Sequence, residues 1–263
     1  MEAFGTIEET LPNGLFASSL TWILEVLPFL KANNVYPNWS INTECYGHII
    51  PAIIKPKKIA PISDRKEKLR TIKSKYGYPY KETDCQNAHD IFHEYFEIAD
   101  DILQIVESLS SHFKTKTVGV HFRGTDKLNR EADYISKEDV IKNVVSFLSK
   151  SPEYNTIFVA ADEEDFIEKF IKEFSNKRYT ILITKSLRTK TIHPIHATNT
   201  GIERAKEAMI DSLLLSKCDF VIKTSSCLSD WVKIWNPSIV VYNLNRFRED
   251  WFPQAIIPVR SFI

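Results

Sequence analysis

Residues 118–131 carry an apolar run straight into side chains able to do chemistry: His121, Arg123, Asp126, Lys127 and Glu131. The apolar run predicts a strand, and in an open parallel sheet ligands sit beyond the carboxyl ends of the strands, so this cluster would face a crevice. Two cations there suit a pyrophosphate. The Arg123 guanidinium offers planar, permanently charged donors to such an anion, and Lys127 is the second cation. Read without a ligand, Arg123 is a surface arginine paired to Asp126.

Further clusters lie downstream. Thr224, Ser225 and Ser226 fall between a predicted strand and a helix, where hydroxyls and free N–H groups can seat a phosphate; the same residues are ordinary helix caps, and the two roles are compatible. Asp162 and Glu163 end the apolar run 157–161 and are placed to touch a ribose or to order the Arg123 loop. With Glu164 and Asp165 they also form an acid cluster of metal-binding type, but acids suit the first turn of the next helix, and we prefer that reading and expect no metal. His89 and His93 share one helix face at zinc-protease spacing, yet Asp90 stands where those enzymes carry glutamate, and no third ligand is evident.

The elements that must position these groups alternate. A strand near 3–9 and a helix over 15–30, kinked or ended by Pro28, precede a Pro-, Lys- and Tyr-rich segment, 48–82, that reads as irregular. A helical apolar stripe covers 87–113. Strands then fall at 118, 156–161, 179–183 and 219–223, separated by helices at 137–148, 164–174 and 201–216, with another helix starting near Ser226. That alternation predicts an α/β fold with a parallel sheet covered on both faces.

Composition excludes some partners. Lysine plus arginine equals aspartate plus glutamate, 34 of each, so no net field draws the chain to nucleic acid or to an anionic membrane. Cys45, Cys85, Cys218 and Cys227 are widely spaced, which argues for reduced thiols rather than a zinc knuckle or a disulfide framework. No secretory signal is evident, and no apolar segment reads as long enough to span a bilayer; the expected location is cytoplasmic. The formal glycosylation sequon at Asn38 would then be idle.

Three motifs carry a family resemblance: the His121, Arg123, Asp126, Lys127, Glu131 spacing, the strand that ends in Asp162 and Glu163, and the run from Asp211 to Ser226. Together, in this order, they resemble the α1,6-fucosyltransferases, which include nodulation enzymes, and the related protein O-fucosyltransferases. The likeness is faint in residues 1–110, where it rests on Asn13 and Gly14 and the helix after them. It implies a GT-B-like α/β fold, with two Rossmann-like domains facing across a cleft. The N-terminal, acceptor-side domain (1–115) would be reduced, the GDP-sugar-binding domain would span 116–250, and a C-terminal tail (251–263) would pack back toward the N-terminal domain. The implied activity is metal-independent, inverting transfer of L-fucose from GDP-fucose to a glycan hydroxyl, with no cofactor. A different GDP-sugar, or a catalytically inactive GDP-sugar-binding relic, is the alternative.

The resemblance also assigns roles. Glu131 falls at the general base, with Asp126 as the alternative and a solvated loop residue as the bland reading. Asp126, flanked by cations, is better suited to anchoring Arg123 or Lys127. Asp211 falls at the carboxylate that reads guanine, where it would accept from both N1–H and the exocyclic amine; otherwise it meets an exposed helix face or pairs with Arg204. Asn13, Gly14, His121, Lys127, Asp162 and Thr224 to Ser226 complete the expected donor and acceptor contacts. The family commonly carries a second arginine where this chain has Gly124. Lys127, Arg130 or Arg188 would then compensate, the donor would differ, or the glycine would simply relieve a tight turn.

Overall fold

The computed structural model describes residues 5–12, 14–59, 64–81, 84–114, 116–124, 132–175, 177–190, 201–246, 248 and 252–263. Asn13, Asp126, Lys127, Arg130 and Glu131 lie outside the described residues.

Strand β1 (Thr6–Leu11) buries Ile7 and Leu11 on one face. Gly14, at φ 75°, then turns the chain into a π-wound segment, Leu15–Leu20, continuous with α1 (Thr21–Ala32). Next come β2 (Asn38–Thr43), β3 (Gly47–His48), β4 (Ile54–Pro56), β5 (Lys66–Lys68), α2 (Leu69–Tyr76), α3 (Cys85–Tyr95), β6 (Phe96–Ile98) and α4 (Asp100–Ser110). Among the described residues the first sheet runs β3-β2-β1-β5, with β1 parallel to both β2 and β5.

Two expectations for this half are corrected, and a third is narrowed. The segment 48–82 is not irregular throughout, since it supplies β4, β5 and α2. The single helix over 87–113 is two helices, because Phe96 and Ile98 are buried on either side of exposed Glu97, a strand alternation inside the helical stripe, and β6 pairs antiparallel with β4. Pro28 does not end α1. A proline leaves the carbonyl four residues earlier without its helical partner, and the Tyr80 hydroxyl donates to that carbonyl, Leu24 O, at 3.2 Å.

The second half is a repeating strand–helix pattern: β7 (Lys116–Phe122), α5 (Lys137–Lys150), β8 (Tyr154–Ala161), α6 (Glu164–Phe174), β9 (Thr180–Ile183), α7 (Ile202–Ser216), β10 (Phe220–Lys223), two short helices α8 (Cys227–Asp230) and α9 (Val232–Trp235), and β11 (Val240–Asn243). Each helix has a local cause. Helix α5 begins where the Ser136 hydroxyl accepts from Asp139 N at 3.0 Å, and α6 opens on Glu164 and Asp165 and buries Phe166, Ile167, Phe170 and Phe174 on one face. Among the described residues the sheet is parallel in every pairing, in the order β11-β10-β7-β8-β9. The order therefore reverses between β7 and β10, and in open parallel sheets ligands sit beyond the carboxyl ends of the strands at such a reversal.

Strand alternation sends side chains to two cores. Val118, Val120, Phe122, Ile157, Val159 and Ile222 face α5 and α6. The other face, with Phe158, Ala160, Val221 and Val241, shares one continuous core with α7, α9, α1, α3 and the first sheet. The apolar helix over Leu15–Ala32 is, by length and composition, long enough to cross a membrane, which corrects the expectation that no segment is. Its Ile23, Leu24, Val26, Leu27 and Leu30 are all buried in that shared core. Near the C-terminus Phe252 stacks on Tyr80 with ring centroids 5.0 Å apart, and Phe262 lies edge-on to Phe147 at 5.4 Å.

Candidate active site

Arg123 and Thr224 meet at the reversal point. β7 delivers Arg123 one residue past Phe122, and β10 delivers Thr224 one residue past Lys223. Thr224 N donates to His121 O at 2.9 Å, and Arg123 N donates to the Thr224 hydroxyl at 2.7 Å. The two strand tips are thus stitched together by backbone and side chain.

The Arg123 guanidinium is held from the other side by β8. Its Nη1 lies 3.3 Å from Asp162 Oδ2, and the second carboxylate oxygen accepts from Gly124 N at 3.1 Å. Arg123 is accordingly mostly buried, with a side-chain exposure of 16%, which sets it apart from a surface arginine. Asp162 orders the Arg123 tip. Glu163 pairs with Lys137 from the start of α5 at 2.5 Å, and Asp165 is held by Lys137 and Lys169 at 2.7 and 3.2 Å. These acids are engaged by protein cations and by the first turn of α6.

Gly124 has a spatial cause. Its φ is not in the left-handed region, but a Cβ at this position would overlap the Glu163 carboxylate. The glycine makes room for the acid rather than relieving a tight turn.

His121 is buried at the end of β7, and its Nδ1 lies 3.0 Å from the Ser229 hydroxyl. Burial, with the Lys223 and Arg123 cations nearby, holds its pKa well below the usual imidazole range, so the ring is neutral. Ser225 is fixed by Asn245, two residues past β11: its N donates to Asn245 Oδ1 at 2.8 Å and its hydroxyl to Asn245 O at 3.2 Å. Gln254 Nε2 donates to the same hydroxyl oxygen at 3.2 Å. Ser226 stands at the N-cap position of α8, but its hydroxyl makes no capping bond. The π-wound segment after Gly14 packs against α8.

Asp211 does not pair with Arg204, which bonds Glu207 instead. It is buried in α7 and accepts from the Thr184 hydroxyl at 2.7 Å. Burial raises its pKa to about 6, against the opposing pull of the Thr184 and Ser186 hydroxyls and the Arg188 cation. Arg188 Nη2 donates to Thr184 O at 2.8 Å, so the segment after β9 brings a guanidinium beside this carboxylate. Thr189 N in turn donates to Asp162 O at 2.8 Å, which lays that segment along the tip of β8.

The His89 and His93 rings lie 4.4 Å apart, His89 Nδ1 is 2.8 Å from Ile234 O, and burial followed by the neighbouring His89 and Lys57 lowers the His93 pKa to about 4. They pack α3 on α9. No group of three or more metal-ligating side chains occurs among the described residues.

Sequence reasoning missed Lys137, Thr184, Asn245 and Gln254, together with the buried pair Lys223 and Asp230. The one signal for the pair was a lysine at the inward-facing position of an otherwise apolar strand, Phe220–Lys223.

The family model for nodulation protein Z, NodZ, matches residues 82–255. The chain belongs to the NodZ family. None of the curated proteins compared matches it. Among solved structures it is similar to the NodZ α-1,6-fucosyltransferase co-crystallized with GDP, at 15% identity and a TM-score of 0.57 over 95% of this chain and 99% of that one. It is also similar to the fucosyltransferase NodZ from Bradyrhizobium, at 14% identity and a TM-score of 0.56 over 95% and 99%. POFUT1 in complex with GDP-fucose matches at 12% identity and a TM-score of 0.51 over 89% and 94%. At these identities the likeness is one of fold: α/β with parallel sheets. Membership of the NodZ family makes the chain a glycosyltransferase of the fucosyltransferase superfamily.

Proposed function

We propose that this NodZ-family chain transfers L-fucose from GDP-fucose to a glycan hydroxyl, without a metal and with inversion at the anomeric carbon. The observation that carries the reading is the position of Arg123, fixed by Asp162 and Thr224 at the point where the strand order reverses. A diphosphate bound there would meet the guanidinium and the Thr224, Ser225 and Ser226 turn as negative charge grows on the leaving oxygen. Asp211 would take the guanine, because an ionised carboxylate accepts from N1–H and the exocyclic amine together, a pair of donors that uracil and adenine lack.

Glu131, with Asp126 as the alternative, would remove the proton from the acceptor hydroxyl. The hydroxyl oxygen then bonds to the anomeric carbon, the carbon–oxygen bond to the diphosphate breaks, and the electron pair leaves on GDP opposite Arg123. One displacement inverts configuration. The cleft between the 1–115 and 116–250 halves would admit the acceptor, with His121, Lys127, Asn13 and Gly14 near the reacting groups and 251–263 reaching back to the first half. Metal independence is supported by the supply of protein cations to the leaving diphosphate and to the acids at 162–165. The wide spacing of Cys45, Cys85, Cys218 and Cys227, with no CxxC pair, favours a cytoplasmic setting.

The test is GDP release from GDP-fucose, GDP-mannose and UDP-sugars, with and without EDTA, over a panel of glycan acceptors. Preference for GDP-fucose in EDTA is the expected outcome. Faster turnover of GDP-mannose would reassign the sugar, and binding of GDP-fucose without transfer or hydrolysis would make the chain a binding relic.

A further inference from the structure

A row of polar side chains crosses the sheet beneath the strand tips. In register, Lys223 of β10 stands opposite His121 of β7 and opposite Asn243 of β11, so all three project from the same face. They are buried, with Lys223 and Asp230 both at 0% exposure. Lys223 Nζ lies 2.7 Å from Asp230 Oδ1 and 2.6 Å from Asn243 Oδ1. Ser229, beside Asp230, reaches His121 Nδ1 at 3.0 Å and Ser226 O at 3.2 Å.

Lys223 is the last residue of β10 and Asp230 the last of α8, so their ion pair brackets the segment 224–229. That segment contains the hydroxyl turn. A buried ion pair is weak evidence for stability, because desolvating two charges offsets their attraction and well-packed apolar side chains of similar volume serve a core as well or better. What the pair adds is direction. An ammonium sharing its donors between a carboxylate and an amide oxygen accepts only a narrow range of positions for both.

We propose that Lys223 and Asp230 are positioning residues that close the 224–229 turn like a clip and hold its hydroxyls in register with Arg123, so that the diphosphate seat is formed before the donor arrives. The proposal rests on the GDP-sugar reading of the site. Neither residue touches the donor; the clip acts through the turn. Preformation matters because ordering the turn during binding would subtract from donor affinity. Only the phosphate end of the donor should feel the clip, since the guanine end is assigned to Asp211 on a different element, held by Thr184 rather than by this row.

The experiment compares GDP with guanosine, each titrated by NMR, which reads weak binding, into wild-type protein and the Lys223→Met/Asp230→Ala double variant. Removing both partners leaves no uncompensated buried charge. The expected result is unchanged guanosine affinity with at least a tenfold loss for GDP. Equal affinities for GDP in the two proteins, or a parallel loss for GDP and guanosine, would overturn the clip and leave the pair a structural one. If the double variant does not fold, Ser229→Ala loosens the same turn from its edge. It should weaken GDP by roughly threefold to tenfold and spare guanosine, and no selective loss would overturn the proposal. Wild-type protein that binds neither ligand would overturn the GDP-sugar reading itself, and this inference with it.

Discussion

Asp211 shows what one side chain's surroundings decide. A carboxylate in the apolar run from Ala208 to Leu215 was open to two readings in the sequence, an exposed or Arg204-paired helix acid and a nucleobase reader. Its burial and its Thr184 partner exclude the first. Because burial raises its pKa to about 6, the folded state favours the protonated acid. That contribution to stability is complete below the ordinary carboxylate range and is lost as pH rises through about 6. The ionised form that two guanine N–H groups require is therefore formed only above that point. GDP affinity of the wild type should fall as pH drops through about 6, while Asp211→Asn, weaker by about 1.5 to 3 kcal/mol at neutral pH, should lack that step. Calorimetry on both proteins across pH 5 to 8, roughly the window that this shift defines, removes the titration of GDP itself from the comparison. Parallel profiles would detach Asp211 from the base.

At the scale of elements, the strand tips were more legible than what lies beneath them. The apolar run into His121 and Arg123, the Thr224 turn and the alternation of strands and helices all register in local sequence, because periodicity and turn chemistry are local. The pairing of β7 with β10 is not local, so the Arg123–Thr224 contact was invisible. The burial of Lys223 had a single local signal, its place at the end of an apolar strand, because burial there follows from strand register rather than from residue type. The helical stripe over 87–113 misled because Phe96 and Ile98 each have an apolar neighbour four residues away, Phe92 and Ile102, and so extend the helical pattern from either side. Gly124 belongs to this scale too, since its neighbour Glu163 comes from the tip of β8. Gly124→Ala should destabilise the protein by up to about 1 kcal/mol, the cost of turning the Glu163 carboxylate away from Lys137. Adding Glu163→Ala should recover part of that loss, as side chains in contact are not additive. Denaturant midpoints of the two single variants and the double decide it, and strictly additive losses would refute the overlap.

Over the whole molecule, one apolar core runs from the first sheet through α1 and α3 to α7 and α9 and the inner face of the second sheet. Trp231 is its hinge pin: fully buried, 5.6 Å from the Phe92 ring and 6.2 Å from the Phe16 ring, with Nε1 donating to the Thr21 hydroxyl at 3.1 Å. Trp231→Ala should cost about 3 to 5 kcal/mol. Both halves should still unfold in one transition, followed by circular dichroism and tryptophan fluorescence together; two separated transitions would show that the core does not join them. That shared core fixes the frame in which the β7 and β10 tips place Arg123 against the donor. The most direct measurement of the central claim is therefore the rate of GDP release from GDP-fucose, with acceptor, by wild-type protein and by Arg123→Ala of matching unfolding midpoint. Loss of a preorganised cation opposite the leaving group predicts a fall of about 10² to 10³ or more. A variant rate within about tenfold of wild type, less than the loss expected for a donor opposite developing charge, would remove Arg123 from the mechanism and contradict the account.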